Sequence, residues 1–270
     1  MNKYQKKLEV SISAAVSAGE ILIKHSDDFL QGSYSRKESY RDIVTEADKY
    51  TEKKIVEIIR KFDPAANILS EESGMISDFN VKSKNQYWII DSLDGTVNYF
   101  KHIPFYGVSI AFMDKKKLAV GVIYNPFLNE LFYGALGLGV YKNHKKISLQ
   151  DGKPDNLLFA ASFSGKKFGK NRKDEFEAFR KVNDSSMGCL RTGSAAINLA
   201  YAADGRLGGC WGRRNKLWDV AAGLLLARLA GARVEYEIVD KTKNLVNFIA
   251  SAPSSFEFLK EKTLLKNYKS

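Results

Sequence analysis

The segment from Trp88 to Phe100 contains the residue types with the most evident chemistry. An apolar run ends abruptly in two carboxylates, Asp91 and Asp94, and the next two residues are a glycine and a hydroxyl residue, Thr96. Carboxylate oxygens are the ligands that hard cations prefer, and backbone N–H groups beside a glycine can bind an anion. These residue types at this spacing predict a metal-assisted phosphate site.

Three further acids lie near predicted strand ends or helix starts, where loops usually build functional sites: Asp48, Glu71 and Asp219. Taken alone, each has a simpler explanation: Asp48 as a helix-capping acid, Glu71 as a solvated loop charge and Asp219 as an acid that favours the helix dipole. Asp91 and Asp94 are different, because carboxylates that directly follow Trp-Ile-Ile are expected to be partly buried. Buried charges need partners, and two such acids therefore indicate bound cations.

The elements that must position these acids follow from periodicity and from breaker residues. The predicted helices cover 4–24, 45–62, 172–182, 193–203 and 217–230. The predicted strands cover 68–70, 87–90, 105–113, 118–125, 130–134, 139–142, 157–163, 232–236 and 246–251. The strands from 105 to 142 are typical of an antiparallel meander, and the later alternation of strands and helices indicates an α/β lobe. A boundary near 152–154 divides the chain into an N-terminal α+β lobe, 1–150, which holds most of the acids, and a C-terminal α/β lobe, 151–270, which holds Asp219.

Composition narrows the class of protein. The chain has 270 residues, of which 44% are hydrophobic, and no apolar stretch is long enough to cross a bilayer. Its two cysteines form no disulfide framework and have no metal-ligand spacing, so a soluble, cytoplasmic protein is expected. The net charge of +11 favours anionic partners, although the basic residues are scattered and no nucleic-acid-binding signature is present.

Five segments resemble, in chain order, the signatures of the inositol monophosphatase family, the lithium-sensitive, magnesium-dependent phosphatases. Residues 90–98 read Ile-Asp-Ser-Leu-Asp-Gly-Thr-Val-Asn and are similar to the first family signature, and residues 218–223 resemble the second. The other three are 42–48, 70–73 and 193–196. The resemblance implies an α/β fold, a layered α-β-α-β-α sandwich of the sugar phosphatase type, with the site between the lobes. Family members are commonly dimers, so a homodimer is expected.

The resemblance also implies a set of metal ligands. Glu71, Asp91 and the backbone carbonyl of Leu93 would hold a first Mg²⁺, and Asp91, Asp94 and Asp219 would hold a second. A third, weaker ion would lie beside Glu71, and Li⁺ would inhibit by competing for a metal position. Carboxylates, water and substrate phosphate oxygens are the ligands that suit Mg²⁺.

Catalytic roles follow from the same resemblance. Thr96 and Asp48 would orient and deprotonate the attacking water, with Glu71 completing the catalytic group. The backbone N–H groups of Gly95 and Thr96 would bind the phosphate at a helix start. The reaction would be direct in-line hydrolysis of a phosphate monoester without a phosphoenzyme. Ser92 departs from the proline that the family nearly always has, and this departure predicts a looser loop.

Substrate-binding residues are expected in two places. Gly193, Ser194 and Ala195 lie in one family-like segment. The second place is a basic stretch that contains Arg213 and Lys216. Inositol-specific members carry a glutamate seven residues before the aspartate of the second signature, and this chain has a glycine there. The basic stretch would suit a leaving group with a second negative charge, or it is a solvated loop.

Four functions therefore remain open. The leading hypothesis is Mg²⁺-dependent hydrolysis of a phosphate monoester of a small polyol or sugar. The alternatives within the same enzyme class are a fructose-1,6-bisphosphatase and a 3′(2′),5′-bisphosphate nucleotidase. From a different class, the positive charge permits a protein that binds RNA or a transcription complex. The segment 26–41 has the position of a mobile loop that could close over a substrate.

Overall fold

The computed structural model describes residues 2–26, 34–36, 43–76, 85–163 and 172–263. The predicted mobile loop, 26–41, lies almost wholly outside these residues. The helices are α1 (Gln5–Lys24), α2 (Glu46–Phe62), α3 (Thr96–Phe100), α4 (Arg172–Asn183), α5 (Ala195–Ala203), α6 (Leu217–Leu229) and α7 (Phe256–Lys262). Short 3-10 turns occur at Pro154–Asn156 and Pro253–Ser255.

The strands in the described part of the chain form a small pair and two larger sheets. They are β1 (Tyr34–Arg36), β2 (Ile43–Thr45), β3 (Ile68–Ser70), β4 (Gly74–Ile76), β5 (Gln86–Asp94), β6 (Gly107–Asp114), β7 (Lys117–Asn125), β8 (Glu130–Ala135), β9 (Gly139–Lys142), β10 (Lys145–Lys146), β11 (Leu158–Phe163), β12 (Gly188–Leu190), β13 (Gly209–Lys216), β14 (Arg233–Asp240) and β15 (Leu245–Ser251). The first sheet has the strand order β10-β9-β8-β7-β6-β5-β3-β4, and the second has β12-β11-β13-β15-β14. The meander predicted for 105–142 is confirmed, since β6 to β9 pair antiparallel in sequence.

The helices lie in layers on and between the two sheets. Helices α1 and α2 pack on the outer face of the first sheet, and α4 and α7 pack on the outer face of the second. Helices α5 and α6 lie between the sheets and contribute to a core that includes residues of both. This α-β-α-β-α arrangement confirms the predicted fold class.

Composition explains why α5 and α6 form the central layer. Every residue of α5 is buried, and α6 is apolar almost all round, as expected for a helix covered on all sides. The two helices pack closely because Gly223 has no side chain: a Cβ there would lie 2.4 Å from the Cβ of Leu199. The start of α6, which contains Asp219, is therefore held against α5 and both sheets.

The main correction to the sequence-based elements concerns the basic stretch. Residues 213–216 are not a loop but the end of β13, which pairs with β11 on one side and β15 on the other. The two sheets come from separate parts of the chain, on either side of 152–154. The division into two lobes stays a prediction, since α5 and α6 contact both sheets. Within the described residues, no helix is both long enough and apolar enough to span a membrane.

Candidate metal and phosphate site

Three of the predicted acids converge where two parallel strands end. Glu71 directly follows β3 and Asp91 lies in β5, and these strands run parallel, with Ser70 opposite Ile90. Asp219 joins them from the first turn of α6. One carboxylate oxygen from each of the three lies within 4.8 Å of the others, and we call this group the acid cluster.

The electrostatics of the cluster favour a cation. Burial, followed by the charges of Glu71, Asp94 and Asp219, raises the pKa of the Asp91 carboxyl well above its usual value. Burial, followed by the charges of Asp94 and Glu71, does the same to the pKa of Asp219. Like charges at this distance cannot all stay ionised in a buried site without compensation. An all-oxygen set of three carboxylates fits Mg²⁺, which takes carboxylates together with water and phosphate oxygens.

Asp94, the fourth predicted acid, is not a member of the acid cluster and faces the start of α5 instead. Its Oδ2 accepts hydrogen bonds from the Ser194 hydroxyl at 2.6 Å and from the Ala196 N–H at 2.7 Å. The same Ser194 oxygen accepts from the N–H of Ile197 at 3.1 Å and so caps α5. Burial raises the pKa of Asp94 to about 6, although these hydrogen bonds act in the opposite direction.

The backbone turns sharply between Asp94 and α3. Gly95 has φ 88°, and a Cβ at this position would lie 2.7 Å from the carbonyl oxygen of Phe105. Glycine is therefore required by both conformation and space. The next residue, Thr96, donates its hydroxyl to the Leu93 carbonyl at 3.1 Å. The carbonyl predicted as a metal ligand and the hydroxyl predicted to orient water are thus in direct contact.

Helix α2 contacts two of the three segments that supply the acid cluster. The hydroxyl of Ser92 donates to the backbone carbonyl of Asp48 at 3.0 Å, and both side chains are buried. The loop that Ser92 was expected to loosen is therefore tied to the first turn of α2. One turn later, the buried carboxylate of Glu52 accepts from the N–H of Glu72 at 3.1 Å and from the hydroxyl of Ser73.

An open cavity adjoins Asp94 and Asp219. The predicted substrate-binding residues Gly193, Ser194 and Ala195 lie on its wall. The cavity therefore brings five predicted site residues together, at the end of β11 and the start of α5 and α6. Such a position, beyond the carboxyl ends of strands, is where α/β folds usually bind ligands.

Arg213 and Lys216, the other predicted substrate-binding residues, do not line this cavity. The Arg213 guanidinium is buried and donates to the carbonyl of Thr263, at the end of α7. The Lys216 ammonium donates to the carbonyl of Lys243 at 3.0 Å, while its backbone N–H donates to Asp219 at 3.2 Å. A role for these two side chains in binding a leaving group stays a prediction.

Three polar residues that line the cavity were not singled out from the sequence: Ser162, Arg191 and Asn215. Arg191 lies two residues before Gly193, where the family-like segment begins, and this is a signal that could have identified it. Ser162 is the penultimate residue of β11, a position where α/β folds often place functional groups. Asn215 had no comparable signal, because its place depends on how β13 pairs.

Comparisons with known proteins agree with this geometry. The model of the inositol monophosphatase family matches residues 3–248. The protein named Nus factor SuhB from Pasteurella multocida is 37% identical over 232 residues, which are 84% of each chain. A fructose-1,6-bisphosphatase/inositol-1-monophosphatase from Aquifex aeolicus is 31% identical over 263 residues, 96% of each chain. Among solved structures, an inositol monophosphatase from Anabaena superimposes with a TM-score of 0.81 at 31% identity, covering 99% of this chain and 100% of that one.

Proposed function

The chain belongs to the inositol monophosphatase family, and on that premise we propose that it hydrolyses phosphate monoesters of small polyols or sugars with Mg²⁺. One observation carries the proposal: the carboxylate oxygens of Glu71, Asp91 and Asp219 converge within 4.8 Å of one another. Three buried or half-buried acids at this spacing are costly unless a cation joins them. Inhibition by Li⁺ and a homodimeric state belong to the same proposal.

Glu71, Asp91 and the Leu93 carbonyl would hold a first ion, and Asp91, Asp94 and Asp219 would hold a second. When bound, Mg²⁺ would acidify a coordinated water and neutralise charge on the phosphoryl group. Asp94 Oδ2 accepts from two donors at the start of α5, the Ser194 hydroxyl and the Ala196 N–H, and these bonds fix the carboxylate that would contribute to the second ion. The ligand set thus spans β3, β5 and α6.

The remaining roles fall to groups beside the acid cluster. Thr96 orients the attacking water, and Asp48, with Glu71, accepts its proton. The bond from Ser92 to the Asp48 carbonyl supports this assignment, because it fixes the first turn of α2 beside β5. The N–H groups that follow Asp94 bind the phosphate, and the absence of a side chain at Gly95 supports their close approach.

The test is release of inorganic phosphate by the purified full chain with Mg²⁺. The substrates are inositol 1-phosphate, fructose 1,6-bisphosphate and 3′-phosphoadenosine 5′-phosphate. We expect turnover of inositol 1-phosphate. The rate of phosphate release should fall by at least about 1,000-fold in Asp91→Asn, because this variant lacks the charged carboxylate that would bind the metal. Asp155→Asn, at an exposed turn, is the matched control and should keep full activity. No turnover of any ester, or an active Asp91→Asn protein, would contradict the proposal.

A bisphosphate substrate is the second candidate, and Arg191 favours it. This arginine lines the cavity, stacks over the Phe163 ring at 5.1 Å and donates to the Phe163 carbonyl at 3.3 Å. A guanidinium there is suited to a second phosphate. The Aquifex aeolicus relative is named for both fructose-1,6-bisphosphatase and inositol-1-monophosphatase. A preference for fructose 1,6-bisphosphate that is lost in Arg191→Ala would support this candidate.

A role in a transcription complex is suggested by the name of another relative. The Pasteurella multocida protein is called a Nus factor, and the net charge of +11 would favour contact with RNA. Salt-dependent binding of RNA that persists in Asp91→Asn would support this role independently of catalysis. Loss of binding in that variant alone would assign the RNA contact to the acid cluster instead.

A further inference from the structure

The side chain of Asn98 connects two distant segments beside the acids and has no role in the proposed reaction. Asn98 lies in α3 and is only 8% exposed. Its Nδ2 donates to the carbonyl of Phe105 at 2.6 Å and to the carbonyl of Thr192, 94 positions later in the chain, at 2.9 Å. Both partners can only accept, so the orientation of the amide is set by its surroundings.

The first of these bonds holds the backbone that packs against Gly95. The carbonyl oxygen of Phe105 is the atom that a Cβ at Gly95 would meet at 2.7 Å. The 103–105 segment also returns to α3, because the N–H of Ile103 donates to the backbone carbonyl of Asn98 at 2.9 Å. The amide of Asn98 therefore stabilises the turn that follows Asp94.

The second bond reaches the segment that begins α5. Thr192 is itself attached to this helix, because its hydroxyl donates to Asn198 Oδ1 at 2.7 Å. The same hydroxyl accepts from the N–H of Ser194, the N-cap residue, at 3.3 Å. The bond from Asn98 to the Thr192 carbonyl therefore connects α3 to the start of α5.

The start of α5 is in turn the part of the central layer that contacts Asp94. The Ser194 hydroxyl donates to Asp94 Oδ2 at 2.6 Å, and the N–H of Ala196 donates to the same oxygen at 2.7 Å. Gly193, which precedes Ser194, has φ 93°, and a Cβ there would lie 3.1 Å from Asn98 Nδ2. The chain thus passes close to the amide just before it delivers the Ser194 hydroxyl to Asp94.

We propose that Asn98 is a positioning residue for the phosphatase reaction: its amide holds the start of α5 against α3 and so sets the contact between Ser194 and Asp94. The inference rests on the proposed function and adds a residue that would touch neither the metal nor the substrate. Two N–H groups on one nitrogen are needed, since each faces a backbone carbonyl. A carboxylate of the same shape would place an oxygen against both carbonyls and leave them without a donor.

The test uses two variants of the full chain that remove these bonds, Asn98→Ala and Asn98→Asp. With inositol 1-phosphate as substrate, kcat should fall by about 10-fold in Asn98→Ala and by about 100-fold in Asn98→Asp, because small displacements of the groups that act on a substrate are costly. KM for the ester should change by less than about 3-fold. The Mg²⁺ concentration for half-maximal activity should rise by about 10-fold, since Asp94 is a proposed metal ligand.

A double-mutant cycle identifies the route of this effect. If Asn98 acts through Ser194, Asn98→Ala should lower kcat by no more than about 3-fold when it is added to Ser194→Ala. A loss of about 10-fold in both backgrounds would show that the two residues act independently, and it would overturn the inference.

Asn67→Asp is the matched control for a general loss of structure. Asn67 is also 8% exposed, and its Nδ2 donates to the carbonyl of Gln86 at 3.3 Å, at the opposite end of β5 from the acids. This variant should lower the thermal midpoint, while its kcat stays within about 2-fold of that of the unmodified protein.

Two outcomes would overturn the inference and leave the phosphatase function standing. One is an Asn98→Ala protein with full kcat, and the other is an equal loss of kcat in Asn98→Ala and Asn67→Asp, which would assign the effect to stability alone. An unmodified protein that hydrolyses no phosphate ester would instead remove the proposed function, and the inference with it.

Discussion

The carboxyl groups of the site titrate in a direction opposite to that of most protein carboxyls. Burial raises the pKa of Asp94 to about 6 and raises those of Asp91 and Asp219 as well. A carboxyl with a raised pKa holds its proton more tightly in the folded state. Its contribution to stability is therefore present at low pH and is lost as pH rises from about 4, the unfolded value, through the folded value.

This titration predicts how pH and Mg²⁺ act together. Without metal, the free energy of unfolding should decrease by on the order of 2 kcal/mol between pH 4 and pH 7 as the site carboxyls ionise. Mg²⁺ binds the ionised form, so it should raise the thermal midpoint more at pH 7.5 than at pH 5. Thermal unfolding of the full chain with Mg²⁺ or with a chelator measures both effects.

Asp94→Asn and Asp155→Asn provide the comparison for this prediction. Asp94→Asn removes a buried charge, so the free energy of unfolding should decrease less between pH 4 and pH 7. Asp155→Asn, at an exposed turn, should show the same decrease as the unmodified protein. A metal-free stability that rises steadily from pH 4 to pH 7 would contradict the titration of the site. Below pH 4 a separate loss of stability is expected. Hydrogen bonds from Gln86, Lys3 and Tyr4 lower the pKa of Asp114 to about 2, so the stability that its carboxylate contributes is lost as pH falls towards that value.

At the level of elements, α2 supports the loop that carries Glu71 of the acid cluster. Glu52 accepts two hydrogen bonds from the loop that begins with Glu71, and an amide in its place can accept only with its single oxygen. Glu52→Gln should therefore raise the Mg²⁺ dissociation constant by about 10-fold. Replacing a residue that hydrogen-bonds and orients a metal-binding segment usually weakens metal affinity by at least this factor. Isothermal titration with Mg²⁺ measures this directly, without a substrate.

Glu57→Gln is the matched control for the support by α2. Glu57 lies on the exposed side of the same helix, where its carboxylate is 3.5 Å from Lys54. Its replacement should leave the Mg²⁺ affinity unchanged, since exposed ion pairs contribute little. Equal affinities in the two variants would show that the loop is held without Glu52.

Much of the element order could be predicted from the sequence, because apolar periodicity is strong in α1, α2 and the meander. The end of β13 could not be predicted in this way. In the sequence alone, Arg213 and Arg214 resemble charges on a solvated loop. In the structure Arg213 is buried and donates a hydrogen bond to the carbonyl of Thr263, 50 residues away. Arg214 also has φ 53°, beside an irregularity in the pairing with β15.

The same limit applies to the candidate site. The acids were accessible to sequence reasoning because each lies near the end of a strand or in the first turn of a helix. Ser162 and Asn215 were not, because they become neighbours of one cavity only when β11 pairs with β13. The acids proposed as metal ligands were thus identified by local pattern, whereas Ser162 and Asn215 come to one cavity only through tertiary pairing.

For the whole molecule, the close contact of α5 with α6 joins the two sheets. Gly223→Ala would place a methyl group 2.4 Å from the Cβ of Leu199 and force these helices apart. We expect a loss of about 1–3 kcal/mol in the free energy of unfolding, which exceeds the gain in helix propensity. Urea denaturation followed by circular dichroism measures this change.

Gly152→Ala is the control for the central layer. A Cβ at Gly152 meets nothing closer than 3.6 Å, so this variant should change stability by no more than about 0.5 kcal/mol. If Gly223→Ala were as stable as Gly152→Ala, the central layer would have more room than the helix contact indicates.

The bond between Ser194 and Asp94 joins residues that are 100 positions apart in the chain. Contacts of such long range form late, because the intervening chain must lose its freedom before they contribute. The acid cluster depends on α6, which comes later still in the sequence. During synthesis or refolding, the first sheet can therefore assemble while the site remains incomplete, and catalytic competence should emerge after most of the secondary structure. A cation bound at the acid cluster would then stabilise a fold that is nearly complete and would not direct its first steps.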